Sequence, residues 1–144
     1  MKLIWMVIGM VMMSTCKQRQ STLESQINSI TYSAMTRGSS FTCTIDEHKI
    51  QLTSDGTETY EKSKEITKKQ WLSILNELEG VALDNLDKLD APSDDSATDR
   101  VRIASLVVLT TAETYESISF DEGNPPNVLS PLINNMLALA QTVD

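Results

Sequence analysis

The chain has 144 residues, of which 20 are Asp or Glu and 12 are Lys or Arg, so its formal net charge is −8 at pH 7. This length suits one domain, and the negative charge repels phosphate backbones, so we expect no nucleic-acid partner. One histidine, His48, excludes a metal site built from a histidine pair, and two cysteines are too few for a disulfide framework.

The first predicted element is an export signal. Lys2 precedes the apolar run Leu3–Met13, and the small pair Ser14-Thr15 and then Cys16 follow it. The run is too short to span a membrane, which takes about 20 apolar residues. A positive start, a short apolar run and small residues are typical of a signal peptide.

The segment Met13–Cys16 resembles the lipobox of bacterial lipoproteins, in which an aliphatic residue and two small residues precede a cysteine. In that family the cysteine thiol takes a diacylglycerol, the peptide is cut before the cysteine, and the new amino group is acylated. The resemblance implies a signal peptide of residues 1–15, lipidation of Cys16 and a membrane anchor. Several acyl chains together anchor a protein durably.

The match departs from the family at two positions, because Met13 stands where leucine is commonest and Thr15 where glycine or alanine is. The alternative is an ordinary signal peptide that releases a soluble periplasmic or secreted protein. Lys17, not Asp, follows the cysteine, so the inner-membrane retention signal is missing. We therefore expect an outer-membrane lipoprotein that faces the periplasm or the cell surface.

After removal of residues 1–15 the mature chain has 129 residues, with 20 acidic and 11 basic side chains. Residues 16–26 are rich in Ser, Thr and Gln, which predicts a flexible tether. Residues 27–144 then form a single domain.

The domain begins with predicted strands. Ile27–Tyr32 is rich in β-branched residues, a turn at 37–39 separates it from a strand at 41–46, and another strand follows at 50–53. Asp55-Gly56 is a strong hairpin signal, which should return the chain through 57–64 as a polar edge strand.

Within the strand at 41–46, the alternation places Phe41, Cys43 and Ile45 on one face. This predicts that Cys43 is buried and inert, because a reactive cysteine needs an exposed, electropositive setting. Without lipidation of Cys16, a Cys16–Cys43 disulfide is the alternative in the oxidising periplasm.

The first helix is predicted from Thr67, because Thr67 and Gln70 fit a capping box. An apolar stripe at helical spacing follows and predicts core burial: Trp71, Leu72, Ile74, Leu75 and Leu78. Gly80 is predicted to end this helix. Residues 81–89 predict a short second helix, and residues 91–96 predict a loop.

Residues 100–120 predict a second hairpin, with a turn at 111–113 and a return strand at 114–120. Its first strand is apolar on both faces after Ala104, which predicts a central strand covered on both sides. A break at 121–126 precedes a last helix that ends near Thr142, with Pro131 in its first turn.

This order predicts an α+β fold: an antiparallel sheet of about five to six strands with two main helices packed on one face. The domain resembles a group of small lipoproteins of Gram-negative bacteria, on landmarks that include Ile30-Thr31-Tyr32, Gly38, Thr67–Trp71, Asp99 and Phe120-Asp121-x-Gly123-Asn124-Pro125-Pro126. The resemblance implies a cell-envelope domain of unknown function, with no catalytic residues to transfer.

The loop formed by Asp121, Gly123, Asn124, Pro125 and Pro126 is the candidate interaction loop, since functional residues favour loops held by a firm scaffold. Alternatively, the loop only fixes the angle at which the last helix docks, and this structural role is the one we favour. Asp99-Arg100-Val101-Arg102 is interpreted as a structural ion pair or anchor.

Two other polar groups are weighed as sites. His48 lies in a predicted turn beside acidic residues, where a solvated histidine is the favoured interpretation over an acid–base catalyst. Six aspartates lie between positions 84 and 99, but their spacing matches no calcium loop. Weak cation binding near 94–99 is the minor alternative, and we assign no metal and no cofactor.

No phosphate-binding, dinucleotide, nucleophile-elbow or zinc-protease motif occurs in the sequence. The leading hypothesis is therefore a lipid-tethered, non-enzymatic module that binds an unidentified envelope protein through a sheet edge, the 121–127 loop, or both. A small acidic inhibitor or immunity-type protein is the first alternative, and an enzyme with a composite site is the weaker one. A pocket converging on His48, Asp99 or several carboxylates would favour the enzyme, and a flat sheet with an apolar patch the binder.

Overall fold

A computed structural model describes residues 22–98 and 100–144. Within them, seven strands form one antiparallel sheet in the order β4-β3-β2-β1-β5-β6, with β7 also paired to β5. The strands are β1 (Ile27–Thr36), β2 (Ser39–Asp46), β3 (Lys49–Asp55), β4 (Tyr60–Glu65), β5 (Ile103–Thr110), β6 (Thr114–Glu116) and β7 (Phe120–Asp121). The predicted α+β class with an antiparallel sheet is confirmed.

The helices follow the predicted order. The first long helix, Lys68–Glu79, lies between β4 and β5, and the C-terminal helix, Ser130–Ala140, follows β7. Two 3₁₀ helices, Leu83–Lys88 and Asp95–Thr98, connect the first long helix to β5.

One face of the sheet is buried, and the strand register places the buried side chains of neighbouring strands next to each other. Tyr32 of β1 pairs with Cys43 of β2 on one side and with Leu106 of β5 on the other. All three side chains are buried, as are their neighbours two residues along each strand on the same face, except Phe41, which is half-buried. These residues form one hydrophobic core with the buried residues of both long helices. We call the opposite side the open face.

The first long helix begins as the sequence predicts. The Thr67 hydroxyl accepts a hydrogen bond from the Gln70 backbone N–H, and the Gln70 side chain accepts one from the Thr67 backbone N–H. The helix buries Trp71, Ile74 and Leu75, as well as Leu78. The capping box is confirmed, and so is the burial of the stripe except at Leu72, which is half-buried.

Strand β5 differs from the prediction of cover on both sides. Ala104, Leu106 and Val108 point into the core, but Ile103 and Leu109 on the other face are 43% and 41% exposed. The sequence pattern shows that both faces are apolar, and no described element covers the open face over these two residues.

The strand count also differs from the five to six expected. The predicted return strand at 114–120 is broken into β6 and β7, because the Ser117 hydroxyl accepts a hydrogen bond from the Leu106 backbone N–H at 2.9 Å and donates one to the Ile118 carbonyl at 2.7 Å. Ile118 N–H in turn donates to the Leu86 carbonyl of the first 3₁₀ helix. The chain therefore turns towards that helix before it rejoins β5.

The end of the predicted flexible tether, residues 16–26, is not flexible coil. Residues 22–26 are helical, Glu24 forms an ion pair with Lys68 at 2.7 Å, and the Gln26 carbonyl accepts a hydrogen bond from Thr111 N–H at 2.9 Å. Residues 16–21 lie outside the described part of the chain. Residues 22–26 are therefore part of the folded domain.

We expect Trp71→Ala to lower the free energy of unfolding by about 3–5 kcal/mol, because Trp71 is fully buried and its removal leaves a large cavity. Urea denaturation measures this loss. Asn76→Ala, on the exposed side of the same helix, is the matched control and should change stability by no more than about 0.5 kcal/mol. A loss below about 1 kcal/mol for Trp71→Ala would contradict the core role.

Candidate interaction surface

The open face has a flat floor of small hydroxyl side chains. Thr31 of β1 lies opposite Thr44 of β2, and their hydroxyl oxygens are 3.1 Å apart. Ser33 of β1 pairs in the same way with Ser105 of β5, with hydroxyl oxygens 3.4 Å apart. Because these short side chains hydrogen-bond across strands, they form an even surface with little relief.

An apolar lane borders this floor. It consists of Met35 on β1 and Ile103, Val107 and Leu109 on β5. Met35 is 51% exposed and lies directly opposite Ile103 in the β1–β5 register. Met35 and Ile103 are exposed side by side at one end of the lane, and Leu109 is exposed at the other end, with Ser105 and the half-buried Val107 between them on β5. Exposed apolar side chains of this size mark an interaction site.

The strands of the open face carry mostly negative charge. Register places these carboxylates on that face: Asp46, Asp55, Glu61, Glu65 and Glu116. Lys49, opposite Glu65, is the one cation on the described strands of the same face. The surface therefore combines an apolar lane with an acidic surround.

The exposed sheet edge, one of the predicted binding surfaces, has features that oppose strand addition. β4 forms this edge, and its residues 61–65 are Glu, Lys, Ser, Lys and Glu, all of them exposed. Charged side chains, Lys above all, are a device by which native edge strands avoid pairing with other chains. At the other edge, β6 has three residues and contacts the Leu83–Lys88 helix.

The candidate interaction loop, 121–126, contains a buried anchor. Asp121 is 2% exposed, and its carboxylate accepts hydrogen bonds from the Ser93 hydroxyl, from Asp95 N–H at 2.7 Å and from Ser96 N–H at 2.8 Å. The hydrogen bond from Ser93 and those from the 95–96 segment hold the pKa of Asp121 well below its usual range. Asp121 thus fixes residues 93–96 to the sheet.

Of the remaining residues of this loop, some are buried and others are exposed to solvent. Gly123 adopts a φ of +84°, a conformation that favours glycine, and the Asn124 amide donates to the Ser93 hydroxyl at 2.8 Å. Pro126 is buried, whereas Gly123 and Asn124 are exposed. These contacts support the structural role, and a direct interaction role for the loop stays a prediction.

The loop also shapes the open face. Asp121 pairs with Ile103 in the β5–β7 register, so the 93–96 segment that it holds stands beside the apolar lane. A hollow of about 310 Å³ at this end of the lane is lined by Met35, Thr36, Arg37, Ser96, Val101 and Ile103. Arg37, in the β1–β2 turn, places a positive charge at this end of the lane. The candidate loop and the lane are therefore parts of one surface.

On the opposite side of the sheet, Arg102 forms an ion pair with Glu122, which lies outside the Asp99–Arg102 segment interpreted from the sequence. Its Nε and Nη2 atoms donate to the two carboxylate oxygens of Glu122 at 2.7 and 2.5 Å. This hydrogen-bonded pair raises the pKa of Arg102. Both side chains are 31% exposed, at the end of a cleft beside the C-terminal helix.

The described residues that the sequence offered as catalytic or metal-binding candidates do not come together in one site. His48 is exposed in the β2–β3 turn, where its backbone N–H donates to Asp46. The described aspartates of the acidic stretch are exposed, and no group of three potential metal ligands forms among the described residues. Cys16 and Asp99 lie outside the described residues.

Burial of Cys43 is confirmed. Desolvation raises the pKa of its thiol to about 12, so the reactive thiolate is scarce at neutral pH.

The comparisons with known proteins leave the chain unassigned: no family model matches it, and no curated protein or solved structure shows significant similarity to it. In the part of the chain that the structure describes, no helix has the length and apolar character to cross a membrane.

Sequence reasoning missed the apolar lane as a site, although its signal was present. The two-sided apolar pattern of residues 105–109 predicts a central strand covered on both sides, and not an exposed surface. The lane depends on β1 lying beside β5, which adds Met35 to it.

We expect Asp121→Asn to lower the free energy of unfolding at pH 7, because the carboxylate and its charge-assisted hydrogen bonds are lost. The folded-state pKa of Asp121 lies below the unfolded value of about 3.9, so its contribution is present above about pH 5 and is lost as the pH falls towards the folded pKa. The difference between wild type and variant should therefore shrink below about pH 5.

Denaturation at a series of pH values tests this dependence. Asp90→Asn, at an exposed position, serves as the control that changes the same charge without the network. A difference between Asp121→Asn and wild type that stays constant down to about pH 3 would show that ionisation of Asp121 plays no part.

Proposed function

We propose that this chain is a lipid-anchored protein of the cell envelope that acts by binding another envelope protein through the open face of its sheet. The observation that carries the proposal is the apolar lane of Met35, Ile103, Val107 and Leu109, which the described chain leaves uncovered. β5 has the two-sided apolar composition of a strand buried on both faces. A partner that covers the open face supplies the missing side.

The charge of the surface indicates the chemistry of that partner. The strands of the open face carry five carboxylates and one lysine, and two of the carboxylates, Asp46 on β2 and Glu116 on β6, lie on the strands next to β1 and β5. A surface with an apolar ridge flanked by Lys and Arg is complementary to this arrangement. Opposite charges steer such an encounter, and salt weakens it. The same acidic surround favours the second candidate, a small inhibitor or immunity-type protein that masks a basic site on a toxin or hydrolase.

The tether part of the proposal rests on the sequence. The short apolar run, the small residues and Cys16 resemble a lipoprotein signal. An anchor of this kind keeps the domain near the membrane, where a modest binding surface suffices because tethering raises the effective concentration of a partner in the same envelope.

An enzymatic function has less support. His48 lies on an exposed turn, and the described aspartates of the 84–95 stretch face solvent. A flat sheet with an apolar patch favours binding over catalysis, which needs convergent groups in a pocket.

For the tether, we expect intact mass spectrometry of the protein from detergent-extracted membranes to give the mass of residues 16–144 plus acyl chains. Cys16→Ala should leave the protein unprocessed or soluble, because the acylated thiol is lost. Cys43→Ala is the matched control and should remain acylated, since Cys43 is buried in the core. A soluble, unacylated wild-type protein, or an unchanged membrane fraction for Cys16→Ala, would refute the anchor.

For the surface, we expect a photo-crosslinking residue at Leu109 or at Ile103 to capture the same envelope protein in intact cells. Asn134, exposed on the C-terminal helix, is the control position and should give no such product. The captured protein, once purified, should rebind the chain with an affinity that falls as salt rises.

Introduction of a positive charge gives the second arm of this experiment. Leu109→Lys should reduce rebinding, whereas Thr53→Lys, on the same face but away from the lane, should reduce it less. Equal capture at Asn134 would contradict the open face as the site. A crosslinked product of twice the chain's mass would identify a second copy as the occupant and would contradict the envelope partner.

A further inference from the structure

The two faces of the sheet differ in their helical cover. Both long helices contribute to the core on the buried face, whereas no described element covers Ile103 and Leu109 on the open face. Strand β5 nevertheless has apolar side chains on both faces, as strands between two layers of helices have. The composition of β5 therefore suits a helix on its open side.

The apolar lane has the length and width of one helix. Ile103 and Leu109, at its ends, lie six positions apart on β5, which is about 20 Å at about 3.4 Å per residue. A helix covers this length with about 13–14 residues. The lane includes β5 and, at Met35, the neighbouring strand β1. Two strands are about 10 Å wide, close to the diameter of a helix with its side chains.

The spacing of side chains along the lane also suits a helix. Successive open-face positions of β5 are about 6.8 Å apart, close to the rise of about 6 Å between residues i and i+4 of a helix. Ser105 makes a low point between Ile103 and Val107, which a large apolar side chain of such a helix fills. The Ser105 and Ser33 hydroxyl oxygens are 3.4 Å apart, so their burial leaves neither hydroxyl without a partner.

An extended segment does not suit the open face. The backbone groups of β1 and β5 pair with neighbouring strands, so the face between the edges presents side chains. An extended segment lying on it would bury its own N–H and C=O groups without partners, which costs free energy. A helix satisfies these groups internally. Strand addition at the β4 edge meets charged side chains.

The charges beside the lane indicate the polar flanks of the helix. Glu116 lies opposite Val107 in the β5–β6 register, and it forms no ion pair with another described residue. Arg37 lines the hollow at the Met35 end. Lys or Arg is therefore complementary near Val107 and Leu109, and Asp or Glu is complementary near Met35.

We infer that the partner covers the apolar lane with an amphipathic helix of about 13 residues or more. The apolar stripe of this helix lies along β5, and its flank carries Lys or Arg beside Glu116. Recognition of this kind uses anchors at positions i, i+3 or i+4, and i+7 of the helix. The inference rests on the proposed function, because it names the element by which an envelope protein binds the open face.

A series of crosslinking positions along β5 tests the inference. A photo-crosslinking residue is placed in turn at four open-face positions in intact cells, and mass spectrometry identifies the partner residues joined to each: Ile103, Ser105, Val107 and Leu109. The joined residues should lie in one continuous segment and advance by four or five positions per step, because about 6.8 Å of strand corresponds to about 4.5 residues of helix.

The other outcomes separate this inference from the proposed function. An advance of about two positions per step would indicate an extended segment, and joined residues in different segments would indicate a surface built from loops. Either result overturns the helix and leaves the open face as the binding site. Capture of no envelope protein at any of the four positions, or of a second copy of this chain, overturns both.

Proline substitution tests the helix without crosslinks. The joined segment, made as a free peptide, should rebind the purified chain. Proline in the middle of this peptide should weaken rebinding at least about tenfold, because it removes a helical hydrogen bond and clashes with the preceding turn. Proline at the first residue of the peptide is the matched control and should have little effect. Equal affinities of the two proline variants would contradict a helical occupant.

Discussion

The pairing of β1 with β5 is the constraint on which the rest of the structure depends. It joins residues 27–35 to residues 103–110, across the first long helix and both 3₁₀ helices. Without it the chain would have a four-stranded meander and a separate short hairpin, each with apolar side chains left exposed. The pairing is long-range, so its loop-closure entropy must be offset by the contacts that follow, which are those of the shared core. It also builds the candidate interaction surface, because it brings Met35 beside Ile103.

Local features of the fold could be predicted from the sequence, because local physics determines them. The capping box at Thr67, the buried stripe from Trp71, the hairpin at Asp55-Gly56 and the first-turn position of Pro131 each depend on neighbouring residues. At Gly56 the reason is explicit: φ is +127°, and a Cβ there would lie 2.7 Å from the Ser39 Cβ. The neighbour of β1 could not be predicted this way, since β-branched periodicity states which face is buried and not which strand lies alongside.

The same distinction explains what could and could not be foreseen of the candidate surface. The loop at 121–126 was identifiable from its Gly and Pro residues, but its buried carboxylate was not, because the partners of Asp121 lie at 93–96 in a segment without periodicity. The break in the return strand at Ser117 could not be predicted either. The Leu106 backbone N–H donates to the Ser117 hydroxyl and not to a backbone carbonyl. An alternating sequence pattern does not predict such a replacement of a backbone acceptor by a side chain. The two-sided apolar pattern of β5 was visible, yet a pattern cannot distinguish a helix of the same chain from a partner as the cover.

An uncovered apolar lane needs protection against self-association, and the charge pattern provides it. Face-to-face packing of two copies would place the carboxylates around one lane close to those around the other, and like charges oppose that contact. Edge-to-edge pairing meets the alternating Glu and Lys residues of β4. Under the proposed function, the same carboxylates that oppose contact with a second copy attract a basic partner, so one set of side chains would act against one occupant of the lane and in favour of the other. In this interpretation the acidity of the chain is part of its recognition chemistry, because it selects what is allowed to cover the lane.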